Sequence, residues 1–215
     1  EDSIRLNRRF AGAQATALIA AAPAIPLSAL MRANFEGLEI TGIVINMTAR
    51  DGSRTGSVDR ISVNKNTVKA GETIELTVIE RNESGQFSSR KVPVTIPADA
   101  APGTVTLTVG DGNAVQQNSA ITQFTPKSAS ELISTINRLK RSDRLYVVLS
   151  RTTTGTIIGS SEMPNLPPSM LATLNNDRTA GGSKPSVQTL ISEIELPAGD
   201  FIINGSQTLN IEVTR

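Results

Sequence analysis

The chain has 215 residues, of which 38% are hydrophobic and 19% charged, and its formal net charge is +1. That length accommodates one large β domain or two small ones, and we expect two; the near-zero charge argues against attraction to nucleic acid, anionic lipid or acidic substrates. The absence of histidine and cysteine excludes Ser-His and Cys-His dyads, disulfides and the common zinc ligand sets. We therefore expect no enzyme activity, no cofactor and no metal site.

Residues 1–37 are predicted to form an N-terminal helical segment packed on the body. An Ala-rich run at 11–22 follows Arg8-Arg9, and this arrangement imitates a signal peptide, even a twin-arginine one. Gln14 and Thr16 interrupt the apolar run, so we favour an Ala-rich helix of the folded protein. No segment approaches the ~20 apolar residues that cross a bilayer, which predicts no membrane span.

Residues 38–112 are predicted to form an immunoglobulin-like β-sandwich. Apolar and polar residues alternate, as in strands with one buried face, and turn formers separate the runs. The alternating apolar residues are Ile43 and Ile45, Ile61 and Val63, Ile74, Leu76 and Val78, Val92, Val94 and Ile96, and Val105, Leu107 and Val109. The likeness to bacterial immunoglobulin-like or fibronectin-like domains is one of architecture, since a core Trp and a Cys pair are absent.

Residues 113–127 are polar and predict a linker, and residues 128–215 predict a second, β-rich α+β unit. A capping box formed by Ser128 and Glu131 begins one amphipathic helix. A strand is expected at Leu145–Leu149, and a short helix is expected near Ser169. Two further strand regions complete the unit, at 186–196 and 201–213.

A basic cluster, Arg138, Lys140 and Arg141, is predicted in the last turn of the amphipathic helix. Nucleic-acid binding is one interpretation. No aromatic residues alternate with these cations to stack on bases, however, and cations at a helix C-terminus are favoured by the helix dipole. We favour the second interpretation.

Other chemical motifs are weak. Ser62–Lys65 and Ser88–Lys91 match the Ser-x-x-Lys of penicillin-interacting enzymes, but the companion motifs are missing. The turn at Gly110–Asn113 offers one carboxylate, too few for a calcium loop. Two carboxylate pairs, Glu72 with Glu75 and Glu193 with Glu195, are expected on outward strand faces.

Five short sequences carry a family resemblance: Asn137–Tyr146, Leu166–Ser169, Asn176–Gly182, Glu195–Pro197 and Ile203–Ser206. In this combination the chain resembles the region that follows the peptidase domain in secreted, acidobacterial-type proteins of the SpoIVB serine peptidase family. The family's chemistry uses a serine and a histidine of an upstream domain. The resemblance therefore implies no catalytic residue in this chain.

The resemblance implies a noncatalytic scaffold or interaction module of an exported bacterial protein, periplasmic or at the cell surface. Its expected partner is a peptidase domain of the same precursor or another envelope protein. The candidate interaction loop contains Asn176, Asp177, Arg178, Gly181 and Gly182. Two alternatives remain open, a free-standing envelope protein that is adhesive or binds carbohydrate, and a hydrolase that uses carboxylates or a Ser-Lys pair.

Overall fold

The computed structural model describes residues 3–33, 35–36, 39–52, 54–117, 126–158, 161–164, 167–174 and 183–214, and these form a mainly β protein. The helices are α1 (Ala15–Ala21), α2 (Ala24–Ala33), α3 (Gly112–Gln117), α4 (Ala129–Asn137) and α5 (Pro168–Leu174). The strands are β1 (Thr55–Val63), β2 (Thr67–Lys69), β3 (Thr73–Asn82), β4 (Phe87–Thr95), β5 (Gly103–Asp111), β6 (Leu145–Ile158), β7 (Ser161–Pro164), β8 (Ser183–Glu195), β9 (Ile202–Asn204) and β10 (Ser206–Thr214).

The strands form two sheets. The four-stranded sheet has the order β4-β3-β1-β9, and the six-stranded sheet contains β2-β10-β5-β6, with both β7 and β8 hydrogen-bonded to β6. Neighbouring strands are antiparallel except for two pairs, β1 with β9 and β2 with β10. The β-sandwich-like class predicted from the alternating pattern is confirmed.

One hydrophobic cluster combines residues of both sheets. Within β3 the alternation is strict, since Ile74, Leu76 and Val78 are buried while Glu75 is exposed. Leu107 of β5 and Leu149 of β6 belong to the same cluster. The buried side chains are mostly Val, Ile and Leu, as the scarcity of aromatic residues predicts.

Strands from the two predicted units share both sheets. From the unit 128–215, β9 pairs with β1, and both β6 and β10 pair with β5. The predicted linker 113–127 also begins with structure, because α3 lies there and Val115 is buried. Alternation identifies strands but not their neighbours. Here Thr55 of β1 pairs with Ile202, and Gly110 of β5 pairs with Ser206, partners far away in the chain.

The predicted elements of the C-terminal half are present. Ser128 caps α4, accepting a hydrogen bond from the Glu131 amide at 3.2 Å, and Glu131 in turn accepts from the Lys127 amide at 2.8 Å. The strand predicted at Leu145–Leu149 is the start of β6, and the helix predicted near Ser169 is α5.

The strand predicted at Ile43 and Ile45 is not formed. Residues 39–52 have no helix or strand assignment, and their side chains are exposed. A strand needs a neighbour to satisfy its backbone hydrogen bonds, and the described part of the chain places none beside this segment.

The N-terminal segment is two short helices rather than one packed helix. A turn at residues 22–23 divides Ala15–Ala33, where Pro23 supplies no amide proton. Only Leu30 is buried, and α2 contacts α4. Alanine offers little apolar area with which to hold a helix on a core, so the other residues of Ala15–Ala33 are exposed or only partly buried.

Ala15–Ala33 is longer and more apolar than expected, and the prediction that the chain has no membrane span stays a prediction. It comprises 19 residues with a mean hydropathy of 1.4, and 6% of it is buried. Length and composition alone make it a candidate span, a criterion that a soluble core helix or a signal sequence also meets.

Candidate functional site

The predicted interaction loop, with Asn176, Asp177, Arg178, Gly181 and Gly182, lies outside the described residues. Its predicted role therefore stays a prediction. The described residues contain three other features that bear on function: a cluster of charges beyond α4, an N-terminal arm bound to that cluster, and a set of exposed apolar side chains.

The charge cluster comprises Lys140, Arg141, Asp143, Arg144, Glu193 and Glu195. Its centre is Asp143, which is 5% exposed. The two Asp143 oxygens accept from Arg141 at 3.1 and 2.8 Å, and one of them also accepts from Arg144 Nε at 2.9 Å. Arg144 reaches on to Glu195, and Lys140 pairs with Glu193, so two of the cations bridge to β8.

The arginines determine how Asp143 titrates. Burial by itself would raise the pKa of Asp143, but hydrogen bonds from Arg144 and Arg141 outweigh it and lower the pKa. Its hydrogen bond with Asp143 likewise raises the pKa of Arg144. Every carboxylate in the cluster is therefore engaged with a cation, which is the arrangement of a structural ion-pair network.

Tyr146 completes the cluster from β6. Its hydroxyl oxygen accepts from the Arg141 amide at 2.8 Å, and Lys140 Nζ lies 5.1 Å from the ring centroid. Burial raises the pKa of Tyr146. The ring is only 2% exposed, so it is a packing group rather than a contact surface.

The basic cluster predicted for the last turn of α4 is placed differently. The helix ends at Asn137, so Lys140 and Arg141 lie beyond it, and their charges meet carboxylates rather than the helix dipole. The sequence contained the acidic partners, but Glu193 lies 53 residues from Lys140 and pairing at that distance has no local signature.

Residues 3–9, the N-terminal arm, run along the loop after α4. Asn137 makes two bonds to it, accepting from the Arg5 amide and donating to the Ser3 carbonyl, each at 3.0 Å. Ser142 does the same with Arg9, accepting from its amide at 3.0 Å and donating to its carbonyl at 3.2 Å. Sequence reasoning missed this arm because 132 to 134 residues separate Asn137 and Ser142 from the arm residues that they bind.

Arg8 and Arg9 bind the arm to the rest of the protein. Arg8 donates to the Lys140 carbonyl at 2.9 Å, and Arg9 donates to the Gly199 carbonyl at 2.7 Å. Arg8-Arg9, which resembled a twin-arginine signal, thus holds the arm against the loop after α4 and the loop before β9.

We expect Asn137→Ala to release the arm without unfolding the sheets. Two partly exposed hydrogen bonds contribute about 1.4 kcal/mol together, so opening of the arm should become about tenfold more frequent. Limited trypsin digestion, followed by intact mass, should then cut after Arg5, Arg8 or Arg9 about tenfold faster. Asn66→Ala is the control, since Asn66 is exposed and far from the arm in sequence; equal cleavage rates for both variants would contradict the role of Asn137.

Residues Gly110–Asn113 connect the end of β5 to the start of α3. The Asp111 carboxylate accepts from the amides of Asn113 at 2.7 Å, Ala114 at 3.0 Å and Gly205 at 2.6 Å. It thereby begins α3 and ties the start of β10 to the end of β5. Both Asp111 oxygens thus accept hydrogen bonds from backbone amides. The hairpin or loop turn predicted here is not formed, because β5 ends at Asp111 and α3 begins directly at Gly112.

Of the Ser-x-x-Lys motifs, Ser88–Lys91 lies on β4, whereas Ser62–Lys65 begins in β1 and its lysine lies beyond the end of that strand; both lysines are paired. Lys65 pairs with Glu72, and Lys91 Nζ lies 2.8 Å from Glu75. The pKa of Glu72 is lowered by Lys65 first and by the Lys69 amide second. Each lysine of the two motifs is therefore ion-paired with a carboxylate.

A shallow groove of about 450 Å³ is lined by Thr67, Val68, Lys69, Glu72 and Thr214. Its charged residues are Lys69 and Glu72, and Glu72 already binds Lys65. Among the described residues, no group of three or more acidic side chains stands close enough to hold a metal ion.

Exposed apolar side chains concentrate in the N-terminal quarter of the chain. In Ala15–Ala33 the exposed ones are Leu18, Ile25 and Met31. In the following extended segment they are Ile40, Ile43, Val44, Ile45 and Met47. Large exposed apolar surfaces mark interaction sites in soluble proteins, so these two segments are the candidate functional surface.

Comparison with known proteins gives no relative: no family model, no curated protein and no solved structure matches the chain.

Proposed function

We propose that this chain is a noncatalytic scaffold or interaction module of an exported bacterial protein, accessory to a SpoIVB-type peptidase domain outside the chain. The observation that carries the proposal is the exposure of Ala15–Ala33, an apolar segment that is 6% buried. An apolar segment left in water costs free energy that a partner surface would recover.

A protein partner fits this segment better than a bilayer. The turn at 22–23 divides it into helices of 7 and 10 residues, about 10 and 15 Å long, against about 30 Å of bilayer core. The arm before it is bound to the end of α4 and to the loop that follows, and Leu30, near the C-terminal end of the segment, is buried. Held at both ends, the segment lies along the body as a docking surface would.

The noncatalytic part of the proposal is supported by the state of the chemical groups. The acidic groups Asp111, Asp143, Glu193 and Glu195 and the lysines of the Ser-x-x-Lys motifs are engaged in hydrogen bonds or ion pairs. The carbohydrate-binding alternative has less support, since the chain's one tyrosine is buried and its described exposed aromatics are Phe87 and Phe201.

The test begins with the reading frame and mass of the protein in its native host. A frame that encodes a peptidase domain upstream, with an exported product heavier than 22.7 kDa, agrees with the proposal. A frame that begins near Glu1, or a product confined to the cytoplasm, would contradict it.

The second step measures binding between this chain and the separately purified upstream domain. We expect the double variant Ile25→Asp, Met31→Asp to bind at least about tenfold more weakly, a loss of about 1.4 kcal/mol, because each carboxylate would have to be buried at the interface. Asn66→Asp is the matched control, adding a charge at an exposed position elsewhere. Equal affinities would contradict docking through this segment, and so would co-sedimentation of the wild-type chain with anionic lipid vesicles that the double variant abolishes.

A further inference from the structure

The second apolar segment, residues 39–49, has the composition of a strand, and the residues that the structure describes place no strand beside it. Ile40, Ile43, Val44, Ile45 and Met47 are 43%, 57%, 87%, 57% and 68% exposed. Within the described part of the chain, no hydrogen bond joins this segment to another. Unpaired backbone beside five exposed apolar side chains is a template for strand pairing.

The sequence of the segment favours pairing with itself. Residues 40–49 contain no charged residue and no proline, and six of the ten are β-branched. Natural proteins prevent unwanted strand pairing with charges and prolines, and this run has neither. Its apolar residues also lie on both faces of the segment, which is typical of a strand that is buried on both faces.

We propose that residues 39–49 pair antiparallel with the same segment of a second copy, with Val44 opposite Val44 at the twofold axis. The twofold axis is perpendicular to the plane of the two paired strands, so it maps each face of the pair onto itself. An odd-numbered residue of one copy can therefore lie opposite only an odd-numbered residue of the other. This inference goes beyond the proposed function and uses a different segment.

Three neighbouring registers, centred on Ile43, Val44 or Ile45, satisfy the symmetry. They differ in which side chains lie opposite each other. Centred on Val44, the pairing sets Ile43 against Ile45 twice and Glu39 against Ala49. Centred on Ile45, it would set Glu39 against Asp51 and Ile40 against Arg50, an unfavourable charge pair and a poor match. Centred on Ile43, it would place Glu39 against Met47.

The Val44 register therefore groups four isoleucine side chains on one face of the two-stranded unit. On the opposite face the two Val44 side chains meet at the centre, with an Ile40 toward each end. The isoleucine face is apolar at its middle and carries Glu39 at each end, as in an interface whose centre excludes water and whose rim is solvated.

The experiment is sedimentation velocity of the full chain over a wide concentration range, with variants at Val44. We expect a concentration-dependent dimer of the 22.7 kDa wild-type chain. Val44→Lys alone and Val44→Asp alone should each dimerise at least about tenfold more weakly, because like charges would then face each other at the axis. An equimolar mixture of the two should recover the dimer, since lysine of one copy would oppose aspartate of the other.

Recovery on mixing is specific to the register, because only the residue at the axis faces its own position in the partner. Far-ultraviolet circular dichroism of the two variants serves as the folding check, and Val44 is exposed enough that both should match the wild type. A wild-type chain that stays monomeric, a Val44→Lys dimer as tight as the wild type, or a mixture that does not recover would each overturn the proposal.

Discussion

Gly112→Ala should destabilise the fold by about 3 kcal/mol, at the upper end of overpacking costs, and lower the Tm by about 10 °C. A Cβ at residue 112 would stand 2.2 Å from the carbonyl oxygen of Arg141 and 2.9 Å from its carbonyl carbon. Both atoms are backbone, so no side-chain rotation relieves the overlap. This close approach packs the start of α3 against the loop that carries the charge cluster. The substitution should therefore destabilise both the start of α3 and that loop.

The measurement is chemical denaturation of Gly112→Ala beside Gly42→Ala, at a protein concentration at which both are monomeric, since Gly42 lies in the segment proposed to pair with a second copy. Gly42 has no atom within 4 Å of an added Cβ and lacks a positive φ, so that substitution should change the free energy of unfolding by less than about 0.5 kcal/mol. If the two variants unfold at the same denaturant concentration, the approach of residue 112 to Arg141 is not a constraint on the fold.

Asp143→Asn should lower the free energy of unfolding by about 2 kcal/mol at neutral pH. The carboxylate holds two guanidinium groups, and loss of one partner of a fully buried pair costs about 3–5 kcal/mol. A smaller effect is expected because the Arg141 side chain is 37% exposed and Arg144 keeps Glu195. Asp99→Asn, at an exposed aspartate, should change the stability by less than about 0.5 kcal/mol.

The Asp143 effect should depend on pH with a definite sign. Because the pKa of Asp143 is lowered on folding from an ordinary value of 3.8, its ionised form stabilises the protein above that value. As the pH falls below 3.8 and through the lowered pKa, the contribution is lost. Denaturation of wild type and Asp143→Asn should thus differ most near neutrality and converge in acid; a difference that stays constant into acid would show that the lost charge is not its cause.

Local sequence patterns predicted the elements whose hydrogen bonds are local or whose faces are clearly divided. Ser128 and Glu131 cap α4, as the spacing requires. Ile74, Leu76 and Val78 point into the core from β3, and alternation is enough to place them there because each residue of a strand faces opposite to the next.

The same alternation failed at Ile43 and Ile45, where no strand is formed. The side chains carry the pattern of a strand, but a strand exists only when another supplies its hydrogen bonds. For the function, the predicted loop at 176–182 lies outside the described residues, whereas the N-terminal arm and the exposed segment 39–49 were found from the structure.

The sequence by itself determined the β class, the composition of the core and the absence of histidine and cysteine chemistry, because each follows from residue types or from neighbours a few positions apart. Tertiary structure alone decided that β9 and β10 join sheets begun before residue 112 and that Arg5 meets Asn137. It also decided that Gly112 lies against Arg141. These contacts join residues far apart in the chain, and such pairing depends on the packing of the whole core rather than on any local preference.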